Sequence, residues 1–228
     1  MGQARRVIAR VIPLTVLFAL ATYVALTIQP YVSDSIIFNQ TLGSESPLIV
    51  GGYGLYLNLT AIITNAVLVA IAYLVLARGK PRVGLTKYPL GIITVYAILS
   101  VILFLVITAE PSQACTSMPT NLDSIATFTV SIVIGSATPL VYAHEKRWKV
   151  SSEWRPFLFM LYASIVAGSL IIDTTTALAL HSIPRLVSEA CVSSATIGAY
   201  GPIDGLATAP PLGLLAGYTV ISTITNKQ

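Results

Sequence analysis

Residues 88–109 read YPLGIITVYAILSVILFLVITA, an apolar stretch with no charge between Lys87 and Glu110. At 1.5 Å per residue, an α-helix needs about 20 residues to cross a hydrocarbon core about 30 Å thick. This stretch is long enough. Five further apolar runs, at 11–28, 59–77, 125–143, 156–180 and 206–225, have the same character. The chain of 228 residues is 55% hydrophobic and 10% charged, too little polar surface to cover a water-soluble globule. Its mean hydropathy of +0.80 agrees. The expected fold is all-α: a polytopic membrane protein with six transmembrane helices, forming one helical bundle over residues 1–228. The longest polar connections, 29–58 and 181–205, leave no room for a soluble domain.

The first run follows Arg5, Arg6 and Arg10 and so imitates a secretion signal. Its apolar core is long, however, and no small-x-small pattern precedes Gln29, so it is expected to remain as a permanent first helix. Met1-Gly2 is not read as a myristoylation signal, because Arg6 stands where Ser or Thr is wanted.

Charge provides an independent check on the helix count. With both termini cytoplasmic, every one of the 13 Lys and Arg residues except Arg185 falls inside. A different count would scramble that segregation. Acids show the opposite bias: Asp34, Glu45, Glu110, Asp123, Glu189 and Asp204 fall outside, Asp173 lies near the outer end of the fifth run, and only Glu145 and Glu153 are inside. The basic balance therefore signals orientation in the cell membrane, with attraction to anionic lipid at HEKRWK (144–149), and no nucleic-acid binding.

Cys115 and Cys191 both map to the outer, oxidising side and are expected to form a disulfide, since neither has another partner. Two glycosylation sequons, at Asn39 and Asn58, also map outside; Asn58 sits almost at the lipid boundary. The scarcity of Asn and Gln beside abundant Ile, Val and Tyr matches a thermophile's composition, although membrane composition produces the same bias.

Within LIVGGYGLYLNLT, beginning at Leu48, the run Gly51-Gly52-Tyr53-Gly54 resembles the carbonyl filter loop of potassium channels. A filter requires a pore helix aimed at the ion, and the preceding PYVSDSIIFNQTLGSESP has no apolar run that can form one. Residues 48–56 are therefore expected to be an interfacial or shallow re-entrant stretch. One continuous helix over 47–77 would be about 46 Å long, too long for the bilayer, and the three glycines mark its break.

The last run has two unusual features. Gly205, Ala209, Gly213 and Gly217 recur every four residues and give one helix face with almost no side chains, suited to close packing. Pro210 and Pro211 lie in the same segment, so the helix must kink or begin there, with Asp204 available to cap a start at Gly205. Smaller versions of the bare face occur at Ser131, Gly135 and Pro139 and at Ser164 and Gly168.

Asp173 is the one acid within an apolar run, a candidate for proton or cation coupling. Against that, it lies towards the outer headgroups, where solvation or helix capping is the simpler expectation. Asn65 is deeper and is expected to make an interhelical hydrogen bond. His144 and His181 map to opposite membrane faces and cannot share a haem or metal, and no cofactor is expected.

Three functions remain, in order. The first is a non-enzymatic integral membrane subunit, a scaffold or channel wall in a translocation, pilus-like or respiratory assembly, with other membrane subunits or further copies of the chain as partners. The second is a small secondary transporter whose path involves Asn65, Asp173, Asp204, Pro210 and Pro211. The third is an outer-face enzyme using His181 with Asp204 or Glu189, for which no nucleophile is evident.

Overall fold

A computed structural model describes residues 49–52, 55–77, 87–109, 118–147, 154–182, 196–198 and 205–225. Among them the element order is β1 (Ile49–Gly52), β2 (Leu55–Asn58), α1 (Leu59–Leu76), α2 (Lys87–Ala109), α3 (Met118–Glu145), α4 (Trp154–Ser182), β3 (Thr196–Ile197) and α5 (Gly205–Thr225). The expected first helix, at 11–28, lies outside these residues. Four helices are long and apolar enough to cross a membrane, over Lys87–Ala109, Leu122–Glu145, Trp154–Leu180 and Gly205–Thr225; the apolar part of α1, Ala61–Leu76, is shorter.

Three short strands accompany the helices. β1 and β2 pair antiparallel from Ile49↔Asn58 to Gly52↔Leu55, and β3 joins β2 in parallel through Tyr56↔Thr196 and Leu57↔Ile197. Within the stretch expected to be interfacial or re-entrant, Ile49–Gly52 pairs with Leu55–Asn58, and the second strand leads directly into α1. The cause is local: β-branched and aromatic residues flank the glycines, and a short apolar run of this kind reads equally well as strand or helix by periodicity alone. The hairpin also accounts for the break in the over-long apolar segment.

Contacts between helix ends establish the up-and-down arrangement. Lys87, which begins α2, places its Nζ 2.6 Å from Glu145 Oε2 at the end of α3, and the Tyr88 hydroxyl donates to the same oxygen. Tyr142 near that end stacks on Phe157 at the start of α4, ring centroids 4.2 Å apart. At the same end Trp154 lies beside Tyr218 of α5, centroids 6.3 Å apart. The opposite end carries the strands, the start of α1 and the start of α5.

Every helix is apolar over most of its surface, and burial rather than polarity marks the inner face. In α2 the buried positions are Ile92, Tyr96, Ser100, Leu103 and Ile107, a single stripe at helical spacing. Leu90, Val95, Ile98, Val101, Ile102 and Leu105 of the same helix are exposed. A surface of that kind suits hydrocarbon and not water. The protein is accordingly a multi-pass helical membrane protein.

In lipid, burying apolar area supplies no drive between helices, so close packing and polar bonds must hold them. α3 lies along α5, α2 lies along α4, and α4 touches all the other helices. A Cβ added at Gly135 of α3 would stand 2.2 Å from the Gly213 carbonyl oxygen of α5, and one added at Gly213 would stand 2.7 Å from the Ser131 carbonyl oxygen. The two backbones are in direct contact. At Gly217 the added atom would meet Leu161 Cδ2 at 2.8 Å and the Gly135 carbonyl oxygen at 3.1 Å. Only glycine fits at this seam, where the neighbouring atoms are largely backbone and cannot give way.

A second close approach fixes α2. The Tyr96 ring lies on Gly168 of α4, where an added Cβ would be 2.2 Å from the ring, and the Tyr96 hydroxyl is 2.8 Å from Ser131 Oγ of α3. One fully buried tyrosine thus joins three helices.

Gly135→Ala is expected to separate α3 from α5 and to cost about 1–3 kcal/mol, as overpacking of a filled core does. Gly205→Ala, whose added atom meets nothing nearer than the Phe128 ring at 3.4 Å, is expected to be tolerated. Thermal unfolding of the two variants in the same detergent checks the contrast.

Candidate functional site

The candidate residues were Asp173 and Asn65, with Asp204, Pro210 and Pro211 beside them. Asp173 lies within α4, well before its end at Ser182, so it caps no separate helix. It is 8% exposed, and its Oδ2 accepts the backbone N–H of Gly198 at 2.7 Å. Gly198 directly follows β3 and has φ 70°, a left-handed conformation that glycine adopts without strain. The carboxylate is therefore a tie: it reaches from a membrane helix to the backbone of the strand cap. An amide donated to an ionised acceptor is among the stronger hydrogen bonds, which helps to offset the cost of placing an acid there.

Two threonines that follow Asp173 direct their hydroxyls elsewhere. Thr175 donates to the Ile171 carbonyl at 2.7 Å, in its own helix, and the Thr176 hydroxyl is buried with no hydrogen-bond partner among the described residues.

Asn65 also differs from expectation. Its Nδ2 donates to the Ala61 carbonyl at 3.2 Å, within α1 rather than across to a neighbour. The residue is 6% exposed, and Oδ1 has no hydrogen-bond partner among the described residues. It belongs to the wall of a groove of about 730 Å³ between α1 and α4, whose other lining residues are apolar apart from the Tyr73 hydroxyl and include Ala66, Val69, Phe159, Leu170 and Leu206. At the far end of the groove Tyr73 and Phe159 meet edge to face, ring centroids 5.4 Å apart.

α5 is helical from Gly205 to Thr225, through both prolines. Neither proline has an amide hydrogen to give the preceding turn, so that turn lacks two of its usual bonds. Pro210 is buried, and neighbouring Ala209 is fully buried, so this weakened turn lies inside the bundle. Gly205, Ala209, Gly213 and Gly217 share one face, and it is at Gly213 and Gly217 that this face meets the Ser131–Gly135 region of α3.

The outer-face cluster is only partly in view. Asp204, Glu189, Cys115, Cys191 and Asn39 lie outside the described residues, and Asn58 is described only as the last residue of β2. Asp123 of α3 accepts a hydrogen bond from Thr127 at 3.2 Å. His144 and His181 are the next-to-last residues of α3 and α4, and these ends are on opposite sides of the bundle. Among the described residues no group of three or more His, Cys, Asp or Glu side chains is arranged to hold a metal ion. No protein-family model, curated protein or solved structure matches the chain.

Two features were missed in the sequence, the Gly198 amide as the partner of Asp173 and the groove beside Asn65. An acid within an apolar run signals that a partner must exist, but it does not name the partner. Replacing Asp173 by Ala is expected to cost about 1.5–3 kcal/mol, the range for hydrogen bonds to charged groups, while Asn retains an acceptor oxygen and costs less. Amide exchange at Gly198 measured by mass spectrometry should accelerate in Asp173→Ala and less so in Asp173→Asn.

Proposed function

We propose that this chain is a non-enzymatic, multi-pass subunit of a larger membrane assembly, serving as a scaffold or channel wall in the cell membrane. It crosses six times with both termini cytoplasmic, and its partners are other membrane subunits or further copies of itself. The observation that carries the reading is the use made of Asp173. A coupling acid must exchange its proton or ion with a pathway, whereas this carboxylate is engaged with the Gly198 amide and anchors the strand cap. The small-residue face of α5 supports the same view, because it is occupied by backbone contact with α3 and leaves no broken-helix cradle for a substrate. Orientation is supported by charge: Lys87, Lys146, Arg147 and Arg155 gather at one end of the bundle, opposite the strands.

Native mass spectrometry of the protein extracted from its own membranes in mild detergent tests the reading. Co-purifying chains in fixed stoichiometry, or a defined homo-oligomer, are the expected result. A bare monomer that moves a solute in vesicles, and loses that transport in Asp173→Asn while remaining folded, would replace it with the secondary-transporter reading. For topology, a membrane-impermeant thiol reagent applied to intact cells should leave a cysteine placed at Arg147 unlabelled.

A further inference from the structure

The four described Lys and Arg residues, Lys87, Lys146, Arg147 and Arg155, are all exposed and all lie at one end of the bundle. The spans Lys87–Ala109, Leu122–Glu145, Trp154–Leu180 and Gly205–Thr225 each have an end there, so these cations stand at the level of the lipid headgroups. Among the described residues the single acid at this end is Glu145, and Lys87 and Tyr88 both bond to it. Lys146, Arg147 and Arg155 therefore leave this end with a surplus of positive charge. In the adjoining connections, 77–86 and 148–153, the sequence adds Arg78, Lys80, Arg82 and Lys149 against Glu153 alone.

A floor of aromatic rings carries these cations. Tyr142 stacks on Phe157, and Tyr88 meets both rings edge to face, with centroids 6.0 and 5.4 Å away. Lys146 Nζ stands 5.9 Å from the Tyr142 ring centroid, and Arg155 Cζ stands 5.2 Å from that of Trp154, which in turn lies beside Tyr218. A cation seated on a ring keeps its stem on apolar ground while its charge stays within reach of a headgroup.

Arg147 is the outlier of the group. Its φ is 51°, left-handed, which no other non-glycine residue among those described adopts, and its N–H donates to the His144 carbonyl at 2.9 Å. Glycine holds this conformation without strain and is the usual residue just past a helix end. A long cationic side chain kept where the backbone favours glycine points to a use for the side chain. Favouring the carboxyl end of the α3 dipole does not require it, because Lys146 already places a cation there.

We propose that Arg147 and Arg155 grip the phosphate of an anionic phospholipid at the junction of α3 and α4, with Lys146 adding charge beside them. Tyr142 on Phe157 holds the end of α3 against the start of α4, so both arginines border the same junction. A guanidinium presents paired N–H donors that match two phosphate oxygens. Zwitterionic lipids carry the same phosphate beside a compensating ammonium, so the surplus of positive charge selects the anionic headgroup.

Native mass spectrometry of the full chain in a neutral detergent tests the assignment, with phosphatidylglycerol and phosphatidylcholine of the same acyl chains offered in equal amounts. Phosphatidylglycerol adducts should exceed phosphatidylcholine adducts by more than about ten-fold, and Arg147→Gly and Arg155→Gln should each reduce that preference about five-fold, the worth of one cation near an anionic membrane surface. Arg147→Lys, which keeps the charge and loses the planar fork, should fall between. Thermal unfolding in the same detergent without lipid separates binding from capping: Arg147→Gly should unfold at the same temperature or higher, because glycine relieves the left-handed backbone. Arg155→Gln, at an exposed helical position, decides alone where Arg147→Gly does not fold. Equal retention of the two lipids by the unaltered chain would overturn the proposal, and so would a preference that survives Arg147→Gly combined with Arg155→Gln. A lowered melting temperature in Arg147→Gly with the lipid preference intact would also overturn it, leaving the arginine as a helix cap.

Discussion

The contact between the backbones of Gly135 and Gly213 is the constraint on which the bundle depends. Between lipid-solvated helices no hydrophobic pressure remains, because hydrocarbon tails solvate the separated helices as well as neighbouring side chains do. Attraction must come from atoms in contact, and it is greatest where two helices approach without side chains between them. Gly213 and Gly217 on one side, and Ser131 and Gly135 on the other, permit that approach. The position of α5 against α3 follows from it, and so does the burial of Val220, Ile221 and Ile224 lower on the same helix.

Polarity in this molecule is concentrated inward, the reverse of a soluble protein. Most exposed positions on α1 and α2 are Val, Ile and Leu, whereas Asn65, Ser100, Ser131, Ser169, Asp173 and Thr176 are buried. Most of the described hydroxyl bonds return to a carbonyl one turn earlier, as at Ser136 and Ser164, and satisfy the side chain without joining helices. Two bonds do cross. Tyr96 to Ser131 joins α2 to α3 within the core, and Asp173 to Gly198 joins α4 to the strand cap. Each is specific because the groups displaced from it would have no water to fall back on.

These commitments bear on function. An acid held by a backbone amide, a glycine face filled by a neighbouring helix and a proline pair inside a continuous helix are devices of architecture. Ion pairing at the basic end is of the same kind but weaker, since Lys87 and Glu145 are both substantially exposed and such pairs contribute little. The most distinctive of the described residues hold the protein together.

Much of the fold was legible in the sequence because membrane helices are written in uncharged length. Runs at 59–77, 88–109, 156–180 and 206–225 match α1, α2, α4 and α5 to within a few residues. The run at 125–143 underestimates α3, which begins at Met118, because Asn121 and Asp123 end the apolar run without ending the helix. The hairpin at Ile49–Asn58 was not legible, since a short apolar segment with glycines carries no period that separates strand from re-entrant loop. Asp173 and Asn65 were identified as residues, but their roles were not. Composition determined that this chain lives in lipid and roughly where it crosses. The tertiary structure alone decided that Asp173 meets Gly198, 25 residues away, and that Asn65 Oδ1 stands beside a groove with no donor among the described residues. Hydropathy is a property of each segment by itself, whereas a hydrogen-bond partner depends on which segments come together.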